Sequence, residues 1–255
     1  MENPIEDTST DLAWEEWGRR DPYFGVITQS RFRRTAMDEN ARREFFDSGE
    51  LHVEYVLSTV RRYVAPEFAP HSVLDFGCGV GRTLLPFATI AQQVTGVDVS
   101  TSMLEEARRN CDRRDLKNVT LIESDDYLSK VTDLFDLVHS FIVLQHIPVR
   151  RGRTILTTLL RRLRPGGVGA IHLTYSKKNY AATNGIPPLE SPSMASFPAP
   201  PDGADPLIQM NPYNMNEVLF LLQGEGADSF HAEFTDHGGE LGVFLFFAIS
   251  KHASG

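Results

Sequence analysis

The sequence predicts an α/β protein with a mostly parallel sheet and helices on both of its faces. Short apolar segments with the character of buried strands alternate with segments of helical periodicity. A glycine-rich turn follows the first of these strands, as it does in ligand-binding crossovers. Two apolar strands without a helix between them close the chain, which indicates a terminal antiparallel hairpin.

The first strand, 73–76, ends in a turn that contains Gly77, Gly79 and Gly81. Glycine lets the backbone turn tightly and lets a ligand come close. Residues 83–91 have helical spacing, so a helix N-terminus faces the turn. A second strand, 94–99, carries an acid near its end, and the whole unit predicts a nucleoside-binding crossover.

The glycine spacing indicates which nucleoside derivative is bound. A dinucleotide fingerprint has the pattern G-x-G-x-x-G, whereas this turn reads G-x-G-x-G and has Asp75 two residues before its first glycine. A carboxylate there repels a pyrophosphate but attracts an ammonium and a sulfonium. S-adenosyl-L-methionine carries both, and the motif resembles the first motif of class I S-adenosylmethionine-dependent methyltransferases of the small-molecule type.

The resemblance covers roughly residues 50–250. It implies a Rossmann-like, seven-stranded, mostly parallel sheet with a terminal antiparallel hairpin, and S-adenosyl-L-homocysteine as the product of the cofactor. We expect residues 1–48 to form an N-terminal lid and residues 49–255 to form the methyltransferase domain, with 176–212 as an inserted substrate flap.

The resemblance also implies the cofactor contacts. Asp98 takes the place of the ribose-binding acid, Val99 and Met103 flank the adenine, and Asp125 accepts from its amino group. The backbone amide of Asp126 covers the adjacent ring nitrogen, and the backbone at Ser140 and Phe141 faces the methionine end. The predicted cofactor-binding set is therefore Asp75, Gly77, Gly79, Gly81, Asp98, Val99, Met103, Asp125, Asp126, Ser140 and Phe141.

The other elements follow in the expected order. Ser102 and Glu105 form a capping box that opens the next helix. Residues 119–122 form a third strand, 135–147 a fourth strand that runs into an active-site loop and helix, and 163–173 the entry to a fifth strand. A helix over 216–223 precedes the two final strands, which are joined through 236–239.

Two regions outside this core predict the acceptor site. Pro22 and Gly25 bracket a turn that presents Tyr23 and Phe24, which we expect to be lid residues in contact with the substrate. The nearby Trp14 and Trp17, three residues apart, either cap an edge of the sheet or belong to the lid.

The second region is the proline-rich segment 176–212, which holds eight prolines. A long loop within a domain is usually functional, and this one leaves the carboxyl end of a strand. Tyr175 and Tyr180 lie at its start, and we expect both to contact the substrate.

His146 is the best candidate for a general base, because imidazole titrates near neutral pH. A hydroxyl acceptor must lose its proton, whereas an amine mainly has to be neutral. The alternative is that His146 orients the loop without taking a proton. His139 and His172 lie in strands, where a buried structural role is expected.

The amino-acid composition limits the classes of partner that we expect. The formal net charge of -9 argues against nucleic acid, and we interpret the arginine pairs as solvated helix faces. Neither an apolar run of about 20 residues nor a secretory signal is visible, so neither membrane association nor export is expected. Two isolated cysteines suggest neither a disulfide framework nor a metal site. The expected protein is cytoplasmic, and a monomer or homodimer.

The sequence thus predicts methyl transfer to a small-molecule acceptor such as a sugar or secondary metabolite, at oxygen rather than nitrogen. A protein or peptide methyltransferase, a non-catalytic cofactor-binding scaffold and a nicotinamide-dependent oxidoreductase are the alternatives.

Overall fold

The computed structural model describes residues 9–178 and 204–250. Its helices are α1 (Ser9–Arg20), α2 (Pro22–Val26), α3 (Glu39–Tyr63), α4 (Leu84–Ile90), α5 (Thr101–Arg113), α6 (Val149–Arg161) and α7 (Met215–Gly224). Its strands are β1 (Ser72–Phe76), β2 (Gln93–Asp98), β3 (Val119–Glu123), β4 (Phe135–Ser140), β5 (Leu163–Lys177), β6 (Ala227–Asp236) and β7 (Glu240–Ile249).

Within these residues, the strands form one seven-stranded sheet in the order β3-β2-β1-β4-β5-β7-β6. Strands β1 to β5 are parallel, and β7 inserts antiparallel between β5 and β6. This confirms the predicted fold class. Chain order reverses between β1 and β4, and open α/β sheets bind ligands at such a switch point, outside the carboxyl ends of the strands.

Apolar side chains cover both faces of the sheet. One cluster joins the sheet to α6 and α7 through Leu156, Leu159 and Leu222, which are almost fully buried. On the opposite face α3 and α4 contribute, among others, Val56 and Phe87. Each amphipathic helix thereby buries one stripe against the sheet, which is the main apolar contribution to stability.

A third cluster belongs to the N-terminal segment. It joins Trp17, Tyr23, Phe32 and Phe45 to Met103 of α5, all of them buried. The rings of Tyr23 and Phe45 meet edge to face with centroids 5.1 Å apart. Trp17 therefore lies in this aromatic cluster and not at an edge of the sheet.

The predicted boundary between residues 48 and 49 falls inside α3, which runs without a break from Glu39 to Tyr63. The N-terminal segment and the sheet therefore share a continuous helix. Tyr180 and most of the proline-rich segment lie outside the described residues.

The capping box predicted at Ser102 and Glu105 is wrong. Ser100 has the extended backbone of a cap, and its hydroxyl accepts from the Met103 amide at 3.1 Å. Ser102 lies in the first turn and donates to Glu15 of α1 at 2.6 Å. Glu105 is exposed and pairs with Arg109 at 3.4 Å. The helix therefore begins earlier than predicted, with Ser100 as its cap, and the Ser102 side chain is used by an acid from another helix.

The closest approach of α3 to the glycine turn occurs at Gly49, where an added Cβ would lie 1.9 Å from the Arg82 carbonyl oxygen. We expect Gly49→Ala to lower the free energy of unfolding by about 2–3 kcal/mol, because backbone has to move. Chemical denaturation measures this. Gly224→Ala is the matched control, since nothing lies within 4 Å of its added Cβ. Equal stability of the two variants would contradict the close packing.

Candidate functional site

A cavity of about 760 Å³ opens at the carboxyl ends of β1, β2 and β4. Pockets for small molecules have volumes of about 300–1,000 Å³. Its wall comes from the glycine turn, the β2–α5 junction, the loops after β3 and β4, helix α1, residues 25–28, residues 208–210 and the β6–β7 turn. The predicted cofactor residues that line it are Gly77, Gly79, Asp98, Val99, Met103, Asp125, Asp126 and Phe141.

The glycine turn is bound to the neighbouring strand. The amides of Gly77 and Cys78 both donate to the Val97 carbonyl, at 2.8 and 3.0 Å. Gly77 has φ +70°, and a Cβ there would lie 2.4 Å from the Val143 side chain. Only glycine combines that conformation with that approach. Gly81 shapes the same turn but does not line the cavity.

Asp98 joins the glycine turn to α5. Its Oδ2 accepts from the Gly79 amide at 2.8 Å, and its Oδ1 accepts from the Ser100 amide at 2.9 Å. Burial raises the pKa of Asp98 to about 6, against the effect of these hydrogen bonds. Each carboxylate oxygen keeps a further lone pair, so Asp98 can accept hydrogen bonds from a ligand in the cavity.

Asp75 does not face the cavity, which corrects the prediction that it meets a cationic ligand. Its carboxylate is buried: Oδ2 accepts from the Thr83 hydroxyl at 2.8 Å, and Oδ1 lies 2.7 Å from His139 Nδ1. His139 Nε2 lies 2.9 Å from His52 Nε2. Asp75 thus lies within a buried hydrogen-bonded chain that runs from Thr83 through His139 to His52. His139 and His172 are both buried in strands, as expected.

The acids after β3 have different partners from those expected. Asp125 is exposed, and its Oδ1 accepts from the amides of Tyr127 and Ser129 at 2.9 and 3.1 Å, closing its own turn. The Asp126 carboxylate receives two hydrogen bonds from Arg151, both of 2.8 Å.

Arg151 also donates twice to Asp11 of α1, at 3.0 and 2.8 Å. Burial lowers the pKa of Arg151, but the hydrogen bonds that it donates to the two carboxylates, and their negative charge, outweigh burial and raise it. The sequence prediction placed Arg151 on a solvated face, because the acid of α1 comes near it only in the folded protein. We call the three residues Asp11, Asp126 and Arg151 the α1 latch.

Other contacts hold α1 against the cavity. Glu15 accepts from the hydroxyls of Ser100 and Ser102, at 2.7 and 2.6 Å. The Thr10 hydroxyl donates to the His146 carbonyl at 2.7 Å, and the ring of Trp14 lies 5.1 Å from that of His146. Sequence patterns did not indicate Thr10 and Glu15, because both residues act through tertiary contacts.

His146 lines the cavity but is buried in a 3₁₀ turn, Leu144–His146. Its Nδ1 donates to the Gln209 carbonyl at 2.8 Å, which leaves the lone pair on Nε2. Burial lowers the pKa of His146 to about 4. The imidazole is therefore neutral at pH 7, and the hydrogen bond ties it to residues 208–210, which also wall the cavity.

Tyr23 and Phe24 do not line the cavity, contrary to the lid prediction. The Tyr23 hydroxyl donates to Glu106 at 2.7 Å and accepts from Arg42 at 2.6 Å. Phe24 lies under the guanidinium of Arg33, whose carbon is 3.4 Å from the ring centroid. The turn buries its aromatic side chains, and the residues after it, 25–28, reach the cavity instead.

Two further predicted residues lie outside the wall. Tyr175 packs against Phe234 with ring centroids 5.7 Å apart, and Ser140 is buried at the end of β4. The β6–β7 turn contributes His237, which sequence reasoning treated only as part of a connection, and Glu240 lines the cavity at the start of β7. The Gly239 amide donates to Asp236 Oδ1 at 2.6 Å, which fixes this turn.

Arg82 is the clearest residue that the prediction missed. It lines the cavity and donates only long hydrogen bonds, to the carbonyl and hydroxyl of Ser48 at 3.3 and 3.5 Å. A sequence signal existed, because Arg82 lies just before Thr83, the N-cap of α4, where the helix dipole disfavours a cation.

Residues 9–178 and 204–250 show neither a metal-binding cluster nor a membrane-spanning helix. They contain no group of three or more His, Cys, Asp or Glu side chains suited to hold a metal ion. None of their helices combines the length and the apolar character needed to cross a bilayer.

Residues 73–167 match a family described as "Methyltransferase domain". Residues 73–167 therefore carry a methyltransferase domain. The fold is similar to that of a magnesium protoporphyrin IX methyltransferase from Synechocystis PCC 6803, which was crystallised with bound SAH. That structure has 15% sequence identity, a TM-score of 0.63, and coverage of 95% of this chain and 100% of its own.

Curated relatives of the methyltransferase domain differ in their acceptors. A 23S rRNA (uracil(1939)-C(5))-methyltransferase from Marinomonas posidonica is 31% identical over 32% of this chain. A trans-aconitate 2-methyltransferase from Azoarcus sp. is 36% identical over 40% of it. The chain spans only 19% and 38% of the lengths of these two relatives.

The buried carboxyl of Asp98 predicts a measurable pH effect. Its pKa is about 6 in the folded methyltransferase domain and about 3.9 when unfolded, so the folded state holds the proton longer. Its contribution to stability therefore declines as the pH rises from 4 to 6. We expect the free energy of unfolding of Asp98→Asn, relative to wild type, to rise by about 3 kcal/mol over this window.

Urea denaturation at several pH values measures that difference. The exposed Glu105→Gln on α5 is the control and should show little change relative to wild type. A difference between Asp98→Asn and wild type that stays constant from pH 4 to pH 6 would show that burial does not perturb this carboxyl.

Proposed function

We propose that the protein is an S-adenosylmethionine-dependent methyltransferase that acts on a small-molecule acceptor. The observation that carries this proposal is Asp98, an acid in the wall of the cavity at the end of β2, held by the amides of Gly79 and Ser100. A carboxylate so placed suits the vicinal hydroxyls of a ribose.

The remaining wall fits the same ligand. Val99 and Met103 offer apolar surface beside Asp98, and the side chains of the α1 latch close that part of the cavity. Gly77 and Gly79 expose backbone without side chains, so the ligand can approach the turn closely. The Synechocystis neighbour, crystallised with SAH, supports this choice of cofactor.

The cofactor supplies an activated methyl group, and the protein mainly has to position the acceptor in line with it. His146, His237 and Glu240 are titratable side chains of the wall that the cofactor assignment leaves for the acceptor. The hydrogen bond from His146 Nδ1 to Gln209 fixes the tautomer that leaves Nε2 able to accept a proton. We retain His146 as the candidate base for a hydroxyl acceptor.

Shape and charge favour a small acceptor over a nucleic acid. Helix α1, residues 208–210 and the β6–β7 turn surround the cavity, and the chain has a net charge of -9. Trans-aconitate, in the name of one relative, is a small molecule; the rRNA named for another makes nucleic acid the competing acceptor class. We place the activity in the cytoplasm, in keeping with the free thiols of Cys78 and Cys111.

Isothermal titration with S-adenosylmethionine and S-adenosylhomocysteine tests the cofactor. We expect micromolar binding by the wild type and at least a tenfold loss in Asp98→Ala, because the two ribose hydroxyls lose their acceptor. Asp115→Ala, an exposed acid, is the control. Absence of binding to the folded wild type, or binding of a nicotinamide cofactor instead, would refute the proposal.

Transfer of a radiolabelled methyl group identifies the acceptor class. A metabolite extract, ribosomal RNA and a protein extract are each incubated with the enzyme and labelled cofactor. We expect label in the metabolite fraction, since the cavity is surrounded on the acceptor side. Label confined to RNA or protein would move the proposal to those acceptors.

The α1 latch predicts how the cofactor enters. In Arg151→Met, Asp11 and Asp126 lose their shared cation and repel each other, so α1 should detach more often. We expect faster amide hydrogen exchange over residues 9–20 and faster release of S-adenosylhomocysteine. The control is Arg161→Met, which removes an equally bidentate but exposed ion pair with Glu225. Unchanged exchange in α1 would contradict a latch.

A further inference from the structure

Arg82 is a charged side chain in the cavity wall whose donors are mostly unused. A guanidinium has five N–H donors, and the described residues accept only from Nη1, through the long contacts to Ser48. Arg82 has no carboxylate within 4 Å among residues 9–178 and 204–250, whereas Arg33 and Arg151 each pair with two acids.

Asp75 does not supply the hydrogen-bond acceptors that the Arg82 guanidinium lacks. Asp75 acts on Arg82 through space, but its two oxygens are engaged by Thr83 and His139. Burial lowers the pKa of Arg82, yet an arginine in a protein keeps its proton. Arg82 is half-buried and has no acidic partner among the described residues, so its charge is costly unless a ligand pairs with it.

Helix α3 approaches Arg82 most tightly at its backbone: a Cβ added to Gly49 would lie 1.9 Å from the Arg82 carbonyl oxygen and 3.1 Å from its Cγ. That contact brings Ser48, the preceding residue, to the guanidinium. The ring of Phe141 lies on another side, 5.9 Å from the guanidinium carbon. Arg82, Ser48 and Phe141 all line the cavity, so the charge is presented to a ligand.

We propose that Arg82, together with the Ser48 hydroxyl, forms a carboxylate-binding site in this cavity. The planar guanidinium matches a carboxylate with two parallel N–H···O bonds, and the apolar surroundings strengthen that attraction. The carboxylate belongs either to the amino-acid end of the methyl donor or to an acidic acceptor. The choice between these two sources rests on the proposed function. The pairing of Arg82 with a carboxylate does not depend on it.

The test uses Arg82→Gln and Arg82→Lys of the full chain, with Arg61→Gln as a control. Arg61 is exposed on α3 and donates to the Phe68 carbonyl. Titrations compare S-adenosylhomocysteine with methylthioadenosine, which lacks the amino-acid end. Ligand-observed NMR compares benzoate with neutral benzamide, with and without S-adenosylhomocysteine. Thermal unfolding of each variant reports on folding.

Two results support the site and separate the sources. If Arg82→Gln binds S-adenosylhomocysteine at least tenfold more weakly and methylthioadenosine within twofold of wild type, the donor's carboxylate occupies it. If nucleoside binding is unchanged but the benzoate signal is lost while that of benzamide is retained, an acidic acceptor occupies it. In either case Arg82→Lys should retain part of the binding, and the melting temperature of Arg82→Gln should not fall.

Other results overturn the site. Unchanged binding of S-adenosylhomocysteine and benzoate in Arg82→Gln would do so, as would a parallel loss of both nucleosides together with a lower melting temperature. If the folded wild type binds neither nucleoside, the proposed function fails, and the benzoate comparison still decides the inference. Absence of benzoate binding to that wild type would then refute the carboxylate site as well.

Discussion

The Asp98 carboxylate is the interaction on which the rest of the site depends. It accepts from Gly79 in the glycine turn and from Ser100 at the start of α5, so one buried side chain fixes the two loops that follow β1 and β2. Ser100 in turn caps α5 and donates to Glu15 of α1. The position of α1 thus depends, through three hydrogen-bonded residues, on the acid at the end of β2.

This arrangement makes the N-terminal segment part of the site. Its aromatic cluster packs on Met103, and the small size of Gly18 and Gly25 allows that packing: an added Cβ would lie 3.0 Å from the Met103 amide and 3.1 Å from its Cε, respectively. The N-terminal segment could not shift along α5 without losing these contacts. Met103 therefore lines the cavity and also packs against the N-terminal segment.

The sequence was sufficient for the fold but not for the side-chain roles. Periodicity and glycine spacing are local, so they predicted the strands, the helices between them and the glycine turn, while the seven-stranded sheet was predicted from the family resemblance. The predicted role of Asp75 was wrong. An acid before a glycine turn can point into the cavity or beneath it, and the contact with His139, which is distant in sequence, holds Asp75 away from the cavity. The prediction that Tyr23 and Phe24 form a lid was wrong for a similar reason, because a turn that brackets two aromatic residues can also bury them. Arg82 and Arg151 differ only in which acids the fold brings near.

The contacts that hold α1 differ on its two sides, and this bears on how a ligand enters. Toward the cavity they are polar: the ion pairs of Arg151, the Glu15 hydrogen bonds and that of Thr10. Toward α2 and α3 they are aromatic, through Trp17 and its neighbours. Water can replace polar contacts at small net cost, whereas exposing the aromatic cluster loses the hydrophobic contribution in full. Opening is therefore cheapest at the latch, near the N-terminal end of α1, with Trp17 and the rest of the aromatic cluster staying packed.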